Sequence, residues 1–433
     1  MNPERRRQRH AVTLVSAGIV SALALTGCAI PSGGEASTAP GGATTTLTLA
    51  WQSGTSAAND AIIAKFEEEN PGVKVQVTTA ADDDLQKTVR TQLLAGTAPD
   101  LFMVWPDSSN VLSVGVLGPE GFLAPLDDLD WAKKATEGAR AATQVHGTTY
   151  MVTAAVDSSG AIYNMDTMNK LGLSVPTTWT ELLKLCSDAR HKGKIAFGLG
   201  LQEGWTTRLV PYALLASAMT DVAATNAALA DGSYDYTTAP EWTTVLKKQN
   251  EMVAAGCFND SPVGTSMDNV VLPGVLKGDF LATVSVGAHI GVMLDKKSGN
   301  PNAHFLMAPL PTSDDPNSSR VNVLYNNGIG INAKAKHPEL AKKFVELWSS
   351  EWALNLMATQ KSLLPSVPND AFTPAPALTT VQELTAQGRV AGGDWAPGAK
   401  TFSAMTDAVQ GILIGKTTIS NGLAAMQAAY REG

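Results

Sequence analysis

The chain reads as an α/β protein of two lobes. Strand and helix patterns alternate in β-α-β-α-β order over residues 47–104, and a second alternation begins near residue 161. At 433 residues, the chain also exceeds what one hydrophobic core usually supports. With 44% hydrophobic and 17% charged residues, it has the composition of a globular body.

The first element is the strand Leu47-Thr48-Leu49-Ala50. Ala61, Ile62, Ile63 and Phe66 then recur at helical spacing until Pro71 stops the helix. Val73-Lys74-Val75-Gln76-Val77 alternates as a half-buried strand does. Asp83 is placed to cap a helix that lines up Leu85, Val89 and Leu93 and ends at Gly96, and the apolar run Leu101-Phe102-Met103-Val104 follows. Such an order predicts a parallel sheet with helices on its faces.

The second region opens at Ala161-Ile162-Tyr163-Asn164. The capping box Thr178-Trp179-Thr180-Glu181 starts a helix burying Trp179, Leu182, Leu183 and Cys186. A later helix opens at Pro240, carries Trp242, Val245, Leu246, Met252 and Val253, and ends at Gly256. Pro338-Glu339 starts another, with Leu340, Phe344, Leu347 and Trp348 facing inward. Trp352 belongs with these packing tryptophans.

Ahead of the body, the cluster Arg5-Arg6-Arg7-Gln8-Arg9 precedes an apolar run, Ala11 to Leu25, of about 15 residues. That is shorter than the roughly 20 residues a membrane-spanning helix needs. Leu25-Thr26-Gly27-Cys28 resembles the bacterial lipobox, which implies a signal peptide over residues 1–27 and a diacylglycerol on Cys28. Twin-arginine export is the alternative route, although Gln8 and Arg9 stand where that pattern wants an apolar pair. Residues 28–45 are small, polar and rich in glycine and proline, as a lipid-anchored flexible tether reaching about 20 Å would be. The expected location is extracytoplasmic, anchored to the bacterial cell membrane.

A net charge of −8 without a basic stripe argues against a nucleic-acid partner. Setting Cys28 aside leaves Cys186 and Cys257, an even number in an oxidising compartment, so a disulfide is expected; two unrelated buried thiols are the alternative. The six histidines form no metal-binding pair at helical spacing, and no metal or cofactor is expected. Gly411-Ile412-Leu413-Ile414-Gly415-Lys416-Thr417 is one residue short of a phosphate-binding loop and reads as a helix end and turn. A Gly-x-Ser-x-Gly nucleophile elbow is absent.

Several segments, taken in order, resemble the family 1 extracellular solute-binding proteins of ABC importers. They are Phe66-Glu67-Glu68-Glu69-Asn70-Pro71-Gly72-Val73, Leu94-Ala95-Gly96-Thr97-Ala98-Pro99-Asp100, Ile162-Tyr163-Asn164 and Pro176-Thr177-Thr178-Trp179-Thr180-Glu181-Leu182. Gly278-Asp279, Pro309-Leu310-Pro311 and Ala341-Lys342-Lys343-Phe344 continue the series. The resemblance implies a periplasmic-binding-protein-like fold of two discontinuous α/β lobes joined by hinge crossings near Val156-Asp157, Asn322-Val323 and Leu363-Pro365. The N-terminal lobe would hold residues 46–156 plus about 323–363, and the C-terminal lobe 157–322 plus about 364–433.

It further implies a non-enzymatic monomer that captures a sugar or oligosaccharide by hinge closure and passes it to ABC permease subunits. A polyol, sugar acid, phosphorylated solute or peptide is the alternative ligand, and an exported carbohydrate hydrolase the alternative of another class. Open α/β sheets bind beyond the carboxyl ends of their strands, which singles out Trp51, Gln52 and Trp105. By the resemblance, Asp107 and Asp157 fall where relatives carry sugar-binding carboxylates, and Glu203 and Trp205 where a glutamate and an aromatic meet the ring. His289, Asn326 and Trp395 complete the expected set.

Overall fold

A computed structural model describes residues 44–53, 57–106, 108, 110–297 and 299–432. The signal segment, Cys28 and nearly all of the tether lie outside the described residues. The first strand, Thr45–Gln52, takes in Thr45, which the sequence pattern assigns to the tether. No helix among the described residues is long and apolar enough to cross a membrane.

Two sheets organise the body. The first has the order Val73–Ala80, Thr45–Gln52, Leu101–Val104, Gly328–Ile331, Val152–Thr153. Its first three strands run parallel, as the β-α-β-α-β pattern predicts. The two contributed from later in the chain run antiparallel to their neighbours, Gly328–Ile331 against Leu101–Val104 and Val152–Thr153 against Gly328–Ile331. Ile62 and Phe66 of the helix Ala57–Glu69 bury against Leu47 and Phe102 in one core. The next helix, Asp82–Ala95, begins one residue earlier than the expected Asp83 cap, behind Ala81. It ends at Gly96, whose φ of 71° is a left-handed turn that favours glycine.

The second sheet has the order Val390–Gly392, Val321–Tyr325, Ala155–Asn164, Phe280–Val286, Ile195–Gly198. Phe305–Ala308 and Leu364–Pro365 also pair with its central strand Ala155–Asn164. A separate core fills this lobe, including Ile162, Leu182, Trp242 and Leu281. Both halves of the Thr178/Glu181 capping box form at the start of Trp179–His191. Leu185 is buried there and Leu183 only partly, because the buried stripe is turned toward Leu185 and Ala189. In Pro240–Ala254, Val253 turns outward and is exposed. Trp352 is likewise exposed and lies under Lys65, so it is a surface residue. Cys186 and Cys257 are bonded, tying Trp179–His191 to the end of Pro240–Ala254 across 71 residues of chain.

The chain passes between the sheets three times. The passages follow Thr153, Tyr325 and Lys361, so the second falls at Asn326-Asn327, slightly beyond the expected Asn322-Val323. They lie side by side: Val156 pairs with Tyr325 on one flank and with Leu364 on the other. Gly328 is obligatory here, since a Cβ would lie 1.9 Å from the carbonyl oxygen of Val152.

Asp100 staples the first lobe. It accepts from the Thr48 amide at 3.0 Å, the Thr48 hydroxyl at 2.6 Å, the Lys336 amide at 2.6 Å and the His337 amide at 3.2 Å. Burial opposes its ionisation, but these four donors outweigh that cost and hold its pKa below the usual aspartate value.

Candidate functional site

The candidate residues fall into two groups joined at the crossings. On the first-sheet side, Trp51 and Gln52 end the strand Thr45–Gln52, as loop-facing residues at a carboxyl end should. Trp51 is 8% exposed and packs edge-to-face on Trp348, with ring centroids 6.0 Å apart. Gln52 Oε1 accepts from Asn327 Nδ2 at 3.5 Å. Trp51, Asn326, Asn327 and Trp348 line a cavity together with Asn59 and Lys361. Trp105 sits half-buried outside that group, its amide donating to Leu112 and its carbonyl accepting from Val114. Asp107 lies outside the described residues.

On the second-sheet side, Glu203 and Trp205 follow the strand Ile195–Gly198 and lead into a short 3₁₀ helix, Gly204–Arg208. Trp205 is 36% exposed, a large fraction for an indole, and its ring lies 5.8 Å from that of His289. His289 Nδ1 pairs with the Ser285 hydroxyl at 2.6 Å, and its Nε2 lies 3.7 Å from Asp268 Oδ1. Burial lowers the pKa of His289 against the attraction of Asp268 and Glu203, favouring the neutral ring. Glu203 is already engaged, accepting from the Ser266 hydroxyl at 2.5 Å and from the Met267 amide at 2.9 Å. Burial works against its charge, yet those donors prevail and its pKa is lowered. It therefore holds the turn that presents Asp268.

Asp157 stands where the groups meet. It belongs to the central crossing strand Ala155–Asn164 and is 4% exposed. Its Oδ1 accepts from the Ser158 amide at 2.7 Å and the Gly287 amide at 2.8 Å, just ahead of the short helix Ala288–Met293 that carries His289. Burial pushes this carboxyl up to about 7, with the three amides of Ser158, Gly287 and Ala288 and the charge of Lys361 opposing. Lys361 is exposed at its surface end, and desolvation lowers its pKa against the pull of Asp157.

Trp395 departs from expectation. Its glycine-rich context suggests a loop facing the cleft, but the ring is wholly buried 5.1 Å from Tyr212, and Nε1 donates to Asn226 Oδ1 at 3.1 Å. It is a core residue. Asp268, Asn59, Asn327 and Lys361 are the polar side chains that pattern reasoning passes over. Asp268 lies in the short π-helix Met267–Val271, which no sequence motif marks, and Lys361 reads as an ordinary basic residue at a helix end.

A surface with an exposed indole, an imidazole and a carboxylate suits a polyhydroxylated ring, because C–H faces stack on the indole while the polar groups pair with hydroxyls. Among the described residues, no cluster of His, Cys, Asp and Glu could hold a metal ion.

The model of the bacterial extracellular solute-binding protein family matches residues 51–353. A multiple sugar-binding protein of Streptococcus mutans is 28% identical over 145 residues, covering 34% of this chain and 33% of that protein. The alignment thus spans about a third of that relative. Among solved structures, a chitin oligosaccharide binding protein superposes with a TM-score of 0.74 at 21% identity, covering 90% of this chain and 99% of its own. RafE of Streptococcus pneumoniae gives 0.72 at 20%, covering 90% and 99%. A family 1 extracellular solute-binding protein from Bifidobacterium longum subsp. infantis also gives 0.72 at 20%, covering 90% and 100%.

Proposed function

The chain belongs to the bacterial extracellular solute-binding protein family and has its periplasmic-binding-protein-like α/β fold, and from that premise we propose that it captures a sugar or oligosaccharide for an ABC importer. It acts as a receptor and leaves its ligand chemically unchanged. The observation that carries the sugar reading is the exposed Trp205 beside His289 and Asp268, a stacking surface flanked by hydrogen-bonding groups. The name of the Streptococcus mutans relative supports the same ligand class.

Capture works by closing the two lobes about the crossings, because a ligand that contacts both sides favours the closed form over the open one. The closed complex is delivered to the permease by a protein held to the membrane through Cys28.

A carbohydrate panel tests the reading. A bound sugar should raise the unfolding midpoint, compact the protein in solution and be recovered intact; a panel that produces no shift removes the sugar assignment, and hydrolysed sugar would make the protein an enzyme. Trp205→Ala should weaken binding about tenfold or more, the scale of losing one aromatic stacking contact. Its own unfolding midpoint should stay unchanged, since the indole is exposed.

A further inference from the structure

The cavity beside the crossings has a donor-rich lining. Lys361 is the only charged side chain among its lining residues, which otherwise include Trp51, Asn59, Asn326 and Asn327. Among the described residues, the Lys361 ammonium makes no salt bridge or hydrogen bond, and the side-chain amide of Asn326 makes none either. Asn59 Oδ1, an acceptor, is buried without a hydrogen-bond partner and suits a hydroxyl of the same ligand rather than its carboxylate. These are unmet polar groups gathered at one place, next to an indole.

A neutral sugar end would pair with the amides and leave a partly desolvated ammonium unmatched. A carboxylate would match it through a charge-assisted hydrogen bond, with amide N–H groups as further donors. Asp157 attracts Lys361 without forming an ion pair with it, and its Oδ1 accepts from the Ser158 and Gly287 amides, so it compensates the ammonium only in part.

We infer that this cavity is an end-of-ligand subsite for a carboxylated sugar, with Lys361 as the residue that selects the carboxylate and Asn326 and Asn327 as supporting donors. The inference rests on the sugar-receptor reading and names the ligand class within it. Substituting Lys361 removes charge from a solvent-reaching position, so the fold should survive.

The test is titration calorimetry of the whole protein with a panel of uronate-ended di- and trisaccharides, each paired with the neutral sugar that differs only by hydroxymethyl in place of carboxylate. The acidic member of at least one pair should bind at least tenfold more tightly. Lys361→Met should erase that preference, bringing the acidic and neutral members of each pair to equal affinity. Lys361→Arg should retain it. Equal or better binding of the neutral members, or a preference that survives Lys361→Met, overturns the inference and leaves the receptor reading standing. Absence of binding by every acidic and neutral member overturns both.

Discussion

Asp100, just before a strand, and Asp157, within one, are both buried aspartates, and the structure drives them in opposite directions. Asp100 gathers four donors from Thr48, Lys336 and His337, and its charge is stabilised. Asp157 meets the Ser158 and Gly287 amides through one oxygen, and burial dominates. The lesson is that donors must outweigh burial: four hydrogen bonds do so at Asp100, whereas at Asp157 deeper burial prevails over its amides. Asp100 secures one lobe, whereas Asp157 sits where the lobes join.

The largest expected effect breaks the staple. Asp100→Ala strands the amides of Thr48, Lys336 and His337, each costing roughly 1–3 kcal/mol if buried and unpaired, so urea unfolding should show a loss of about 3–5 kcal/mol. A loss under about 1 kcal/mol would put Asp100 on a par with an ordinary surface carboxylate.

Asp157 should give the opposite pH signature. Its folded pKa lies above that of the unfolded chain, so the native state binds the extra proton and stability declines as pH rises from about 4 to about 7, by at most about 4 kcal/mol. Asp100, with its pKa lowered, instead contributes stability above the unfolded pKa and loses it as acid is added. Asp157→Asn mimics the protonated form and should flatten the unfolding midpoint between about pH 4 and about pH 7. An undiminished slope in that variant would assign the pH dependence elsewhere.

A third comparison concerns the lobes themselves, since the described disulfide lies wholly in the second. Replacing Cys186 and Cys257 with serine frees a loop of 71 residues and should cost about 2–4 kcal/mol. Hydrogen exchange should speed up in Trp179–His191 and Pro240–Ala254 while Thr45–Gln52 keeps its protection. Equal acceleration in both lobes would mean that they unfold as one unit.

Much of the fold was legible because its signals are local. Pro71, Gly96 and the Thr178/Glu181 box act within a few residues of themselves, and the apolar periodicities mark elements well. The site was less legible because exposure depends on distant partners. Trp205 and Trp395 both lie in glycine-containing stretches, yet Trp395 is buried by Asn226 and Tyr212, 169 and 183 positions away in the chain. Trp352 shows the reverse error: a helical stripe suggested packing, and the ring faces water. Likewise, nothing near Asp100 announces that Lys336 and His337 will supply its amides.

The three passages between the sheets have a mechanical consequence. Separate flexible tethers would let the lobes twist, slide and tilt independently. Here the passages converge where Val156 is paired on both flanks, so their backbones act as one narrow ribbon. A ribbon is stiff to shear in its own plane and yields by folding across its width, which leaves the two halves a single soft degree of freedom.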